Sequence, residues 1–207
     1  MNSPSTSSPL LLENYRQILS NRNMITREWF FTKIDKILDI NSPTSVSISS
    51  NVNPTIKNVT VVFGGPATGK TFLFQMILLR KTLQDRILLP FFCQNATNTS
   101  SPTGKPPSLG DFTTALSQQI KNILGLVINN PSCDKSFFRD NFLVPLSTIM
   151  ADDDAVERLE LRDKRFLILI DSIDLRPDIC ELLAENHHYL PPWLHILISA
   201  RPKRFRI

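Results

Sequence analysis

Glycine is scarce in this sequence: there are six in 207 residues, against fifteen prolines, and three of the six are Gly64, Gly65 and Gly69. A chain so sparing of glycine keeps it where backbone geometry or a close approach admits little else, so this cluster marks a special turn. Cysteine is scarcer still. Cys93, Cys133 and Cys180 are odd in number, far apart and form no CxxC pair, which argues against a disulfide framework or a zinc site and points to a reducing compartment. No apolar run approaches the ~18–20 residues that span a bilayer. The opening MNSPSTSSPLLLENY lacks the basic start and long apolar core of a secretory signal. The N-x-S/T triplets at Asn58, Asn95 and Asn98 therefore read as chance in a cytoplasmic chain. No internal repeat of any period is present.

A basic surface is missing too. The net charge is +4, and Arg201, Lys203, Arg204 and Arg206 supply all of it, so the rest of the chain is neutral. That excludes a domain-wide footprint for nucleic acid and leaves the tail as a solvated loop. With 42% hydrophobic and 20% charged residues the composition is ordinary globular usage, and the length suits one α/β core.

What is there is a regular alternation. Residues 1–26 read as a flexible segment with a short helix around 10–19, and 204–207 as a tail. Between them, 27–203 reads as one domain. Thr26 is a credible cap for an amphipathic helix over 27–39, where Trp29, Phe30, Ile34, Ile37 and Leu38 recur at helical spacing. Residues 41–57, rich in Ser, Asn and Pro, form a linker. Val59 to Phe63 is a β-branched strand, and Lys70 to Arg80 a proline-free helix. Ile87 to Cys93 reads as a buried strand despite Pro90. Residues 95–109 form a loop, 109–126 and 137–150 are helices, and 152–165 is a charged connector or helix. Two further apolar strands, Phe166–Ile170 and Leu194–Ile198, end in polar groups, as strands of an open parallel sheet do beside a ligand. The class is a doubly wound, mostly parallel α/β fold.

Between the first strand and its helix lies Gly64-Gly65-Pro66-Ala67-Thr68-Gly69-Lys70-Thr71, which satisfies G-x-x-x-x-G-K-[ST], the phosphate-binding P-loop. Glycines let backbone N–H groups close on an anion, and the helix N-terminus adds its dipole. Lys70 would reach the β- and γ-phosphates of ATP or ADP, and the Thr71 hydroxyl would ligate Mg²⁺. Asp171, after the strand 166–170, fits the acid that holds the metal's hydration shell. Asp174 is placed to orient attacking water, or is a turn residue, and Arg201 is placed to sense the γ-phosphate. No N-K-x-D selects guanine and no arginine-rich lid is recognisable, which favours adenine nucleotide. His187-His188 and Asp152–Asp154 have no metal-ligand pattern, Gly104-Lys105 is not a second P-loop, and Phe137, Phe138 and Trp193 read as core or interface anchors.

Thr26-Arg27-Glu28-Trp29, the GGPATGKT loop, LILIDSID at 167–174 and PPWLHILISAR at 191–201 together resemble the NACHT-type NTPase region, of the STAND class, in large ankyrin-repeat scaffold proteins of the TANC-like group. The resemblance covers 27–203. It implies a sheet ordered 5-1-4-3-2, of which this chain holds 1-4-3-2. Strand five, the lid domains and the ankyrin repeats would lie beyond a truncation at Ile207, leaving the first strand as an apolar edge prone to aggregation. It also implies that the Arg27-Glu28 stretch abuts the adenine base, with Asp171 the metal-site acid and Arg201 the sensor arginine. Two positions depart from the pattern: Thr26 replaces a glycine and Leu175 replaces a glutamate. The second departure implies weak or absent hydrolysis. Two readings follow, a nucleotide-dependent switch in a scaffold or a non-catalytic interaction module with a structural or degenerate site. Protein partners, and a peripheral endosomal or synaptic address, come from the resemblance alone.

Overall fold

In the computed structural model the described residues are 28–40, 58–80, 86–93, 107–126, 136, 138–162 and 164–202. The expected helix at 10–19, the linker 41–57 and the tail lie outside them. Four strands, β1 (Val59–Phe63), β2 (Arg86–Phe92), β3 (Arg165–Asp171) and β4 (Leu194–Ala200), form one parallel sheet in the order β1-β4-β3-β2. This is the expected 1-4-3-2 arrangement of a P-loop nucleotide-binding fold.

Alternation along β4 explains why helices cover both faces. Leu194, Ile196, Ile198 and Ala200 face one core, which α3 (Leu109–Leu124), a π-helical turn (Phe138–Leu143) running into α4 (Val144–Ala151), and α6 (Pro177–Asn186) close. Leu197 faces the other, with Leu167 and Leu169 of β3, covered by α1 (Glu28–Ile40) and α2 (Lys70–Leu79). Central strands buried on both sides read as unbroken apolar runs, hence their legibility in the sequence. The short α5 (Asp153–Arg158) starts at Asp152, whose side chain accepts from the N–H groups of Asp154 and Ala155, so the acidic triplet is a helix start.

Local chemistry sets the helix ends. Ser108 and Asp111 form a reciprocal capping box at the start of α3, and Gly125 ends it at φ 69°. Pro90 is tolerated because β2 is an edge strand among the described residues, and its carbonyl accepts from Gln119 Nε2 of α3 at 2.9 Å. At the opposite edge, β1 is partly exposed throughout, with Phe63 at 49%. The 137–150 helix begins with a π-turn, in which Phe138 and Phe142 stack 5.2 Å apart. Among the described residues no helix is long and apolar enough to cross a membrane.

Candidate functional site

The sheet brings the C-terminal ends of its strands to one side. Phe63 pairs with Ala200 and Phe92 with Asp171, so the turns after β1, β3 and β4 converge there. The P-loop leaves β1 through Gly64, whose N–H donates to the Ala200 carbonyl, and enters α2 at Gly69. Ala67 at φ 56° and Gly69 at φ 79° both adopt the left-handed conformation, which bends the chain tightly around the loop's interior. Gly69 offers no side chain to cap α2, so the first-turn N–H groups remain available to an anion.

Each loop glycine has a different reason for being there. A Cβ on Gly64 would lie 2.7 Å from Thr68 Oγ1, a hydroxyl that donates to the Gly65 carbonyl. Gly69 has open space around it but a backbone that L-residues resist. Gly65 needs neither explanation: its Cβ would meet only Thr68 Cγ2, at 3.8 Å. We therefore expect Gly64→Ala and Gly69→Ala each to destabilise the fold by about 1–2 kcal/mol, lowering the melting temperature by roughly 2–8 °C, with Gly65→Ala unchanged. Calorimetry of the three variants checks the contrast, and an equal loss at Gly65 would refute it.

Lys70 folds over the loop that it closes. Its Nζ donates to the carbonyls of Gly64 at 2.6 Å and Gly65 at 2.8 Å, and lies 3.4 Å from Thr68 Oγ1. Thr71 points the other way, and its hydroxyl donates to Asp171 Oδ2 at 2.6 Å. One hundred positions separate these two residues in sequence, and β4 lies between β1, which leads into the loop, and β3, which carries Asp171. Asp171 is fully buried and accepts from three hydroxyls: Thr71, Ser172 at 3.3 Å and, on Oδ1, Ser199 at 2.5 Å.

Asp174 and Arg201 are also brought together, and they face each other. Asp174 is wholly buried in the short 3₁₀ turn Ile173–Leu175; its Oδ1 accepts from the Arg201 backbone N–H, and its Oδ2 lies 3.6 Å from Arg201 Nε. Leu175 packs against the core on the α6 side. Beside them Cys93 is buried, its N–H bonded to the Asp171 carbonyl. Burial pushes its thiol up to about 12, the charge of Asp171 adds to that, and Arg176 opposes it, so the sulfur stays protonated and is no nucleophile.

No protein-family model matches this sequence, and no curated protein matches it. A solved structure, that of C. elegans PCH-2, is similar to it with a TM-score of 0.32 and 16% identity over 83% of this chain. The chain spans 36% of the length of that protein.

The donor chemistry fits nucleotide and Mg²⁺. Thr71 and Asp171 offer hard oxygens side by side, which is what Mg²⁺ takes, and the Lys70 ammonium and an uncapped helix start belong to the same loop. Arg27 lies outside the described residues. Its neighbour Glu28 reaches Arg80, 3.7 Å away, and Arg80 also pairs with Asp35 at 2.9 Å. Arg80 follows the C-terminal end of α2, about 15 Å along that helix from Lys70.

One participant escaped the sequence reading. Ser199 was visible only as a small polar residue ending an apolar strand, and nothing local connects it with Asp171. The Arg80 pairings to α1 likewise had no sequence signal.

Proposed function

We propose that this chain is a nucleotide-binding switch module that takes ATP or ADP with Mg²⁺ at the P-loop. The observation that carries the reading is the Thr71–Asp171 hydrogen bond, which joins the loop's metal-ligating hydroxyl to the one carboxylate at the end of β3. When bound, Mg²⁺ would neutralise phosphate charge. Thr71 and Asp171 would hold it, Lys70 would bind the β- and γ-phosphates, and the N–H groups of the loop would hold the rest of the anion. The resemblance of residues 27–203 supports the finer assignment, a NACHT-like STAND module of an ankyrin-repeat scaffold whose nucleotide state biases the arrangement of neighbouring domains and so its protein partners.

Leu175 and Asp174 favour binding without efficient turnover. A leucine packed on the core supplies no base, and Asp174 Oδ1 is taken up by the Arg201 backbone N–H. This supports the second reading, a scaffold element whose nucleotide is retained.

Thr71→Val preserves shape and removes the hydroxyl. Nucleotide should bind the unaltered chain more tightly with Mg²⁺ than in EDTA, and Thr71→Val should lose that increment by about tenfold or more while keeping its affinity in EDTA. Calorimetric titration measures both affinities. No nucleotide binding by the unaltered chain would end the proposal, and single-turnover assays with labelled ATP separate the switch that hydrolyses from the scaffold that retains.

A further inference from the structure

We infer that Ser199 is a positioning residue that sets the Mg²⁺ affinity of the site by fixing the Asp171 carboxylate; the inference rests on the nucleotide-binding reading above. Ser199 occupies β4, the strand lying between the P-loop strand and the strand that carries Asp171. Its side chain shares a sheet face with Leu197, and it is fully buried. A lone hydroxyl in such a place carries a desolvation cost unless both its donor and its acceptor capacity are used. Both are used here. The hydroxyl donates to Asp171 Oδ1 at 2.5 Å and accepts the Ser172 N–H at 2.8 Å.

The two bonds act on different parts of the site. Accepting the Ser172 N–H holds a residue at φ 60°, a conformation that serine adopts only where its surroundings impose it. Ser172 starts the turn that carries Asp174, which holds the backbone N–H of Arg201, two residues beyond Ser199. Donating to Oδ1 engages one oxygen of Asp171, and the other oxygen is then directed to Thr71. With Oδ1 held by Ser199, the carboxylate turns Oδ2 to the Thr71 and Ser172 hydroxyls, and donors on both oxygens restrict its rotation. Without the Ser199 hydroxyl, Asp171 could rotate about its side-chain bonds, and Oδ1 would be buried without its donor. Outer partners that orient a metal-site carboxylate commonly change metal affinity by about 10–100-fold, which is the effect expected here.

The test uses the full 207-residue chain and the matched pair Ser199→Thr and Ser199→Val, which have the same shape and differ in the hydroxyl. ATP affinity is measured with Mg²⁺ and in EDTA, and Mn²⁺ binding in the presence of ADP is followed by electron paramagnetic resonance. Ser199→Thr should retain the metal-dependent increment. Ser199→Val should lose it by at least about tenfold, show weakened Mn²⁺ binding, and keep the EDTA affinity of Ser199→Thr. Equal metal dependence in the two variants would overturn the inference, as would a parallel fall of Ser199→Val with and without metal, which marks a merely structural role. Should both variants fail to fold, Ser199→Ala is compared with the unaltered chain on the same two measurements, with the same outcomes deciding. Absence of nucleotide binding by the unaltered chain is a failure of the underlying reading, whereas metal-dependent binding that ignores the hydroxyl is a failure of this inference alone.

Discussion

Lys70→Ala binds Mg·ATP about 100-fold more weakly than the unaltered chain, the loss expected when charge-assisted hydrogen bonds worth roughly 3 kcal/mol to phosphate are removed. The geometry makes the prediction sharper than the motif alone. The ammonium sits on the carbonyls of Gly64 and Gly65, within reach of Thr68, so it lies inside the loop that would hold the phosphate. On the proposed reading, nucleotide would exchange these carbonyl acceptors for phosphate oxygens. The same bonds mean that Lys70→Ala should also loosen the loop. Lys70→Met, which keeps most of the aliphatic stem, should lose affinity to the same extent, and melting curves without ligand separate loop loosening from lost phosphate contact. Unchanged affinity in either variant, measured by titration calorimetry, sinks the assignment of 64–71 as a phosphate loop.

Acidification from pH 7 to pH 5 removes about 2 kcal/mol of stability through one side chain, His195. It lies on β4, is 5% exposed, and its Nε2 hydrogen-bonds Thr60 Oγ1 at 2.9 Å. Burial pulls its pKa down from 6.5 to about 4, and the positive charge of Arg86 pulls the same way. The unfolded chain takes up a proton at pH 6.5, whereas the folded chain resists until about pH 4. The contribution is therefore complete above pH 6.5, declines as the pH falls through that window, and is gone below about pH 4. Urea midpoints at pH 7, 6 and 5 measure it in a range where ordinary carboxylates are ionised. His195→Leu should flatten the slope over that range, so that its stability relative to the unaltered chain improves by about 2 kcal/mol between pH 7 and pH 5. A variant with the slope of the unaltered chain would show that the acid sensitivity lies elsewhere.

The strands were legible because their information is local. Five or more apolar, largely β-branched or leucine residues ending in a polar group announce a buried parallel strand, and β3 and β4 are that pattern. The glycine spacing from Gly64 to Gly69 announced the loop for the same reason, since it records backbone conformations that few other residues adopt. Even so, Gly65 matched the motif without the steric need found at Gly64, a distinction that depends on where Thr68 points. The π-turn at 138–143 was read as ordinary helix, because hydrophobic spacing does not separate the two when aromatic packing decides between them.

The candidate site divides along the same line. Lys70, Thr71, Asp171, Asp174 and Arg201 were each nominated by residue type and by position at the end of a strand or loop. Their relations were not readable, because each depends on a partner supplied by sheet order. Thr71 meets Asp171 across an intervening strand, Ser199 of that strand holds the other oxygen of the same carboxylate, and Asp174 faces Arg201 instead of open solvent. The Glu28–Arg80 pair, 3.7 Å apart, likewise joins α1 to the end of α2.

The sequence by itself determined that four strands alternate with helices and that a turn with P-loop spacing follows the first, because apolar periodicity and glycine spacing are properties of neighbouring residues. Only the tertiary structure decided which hydroxyls and charges share the site. A parallel sheet sets side by side strands far apart in the chain, and a buried carboxylate takes whatever donors that order brings within reach.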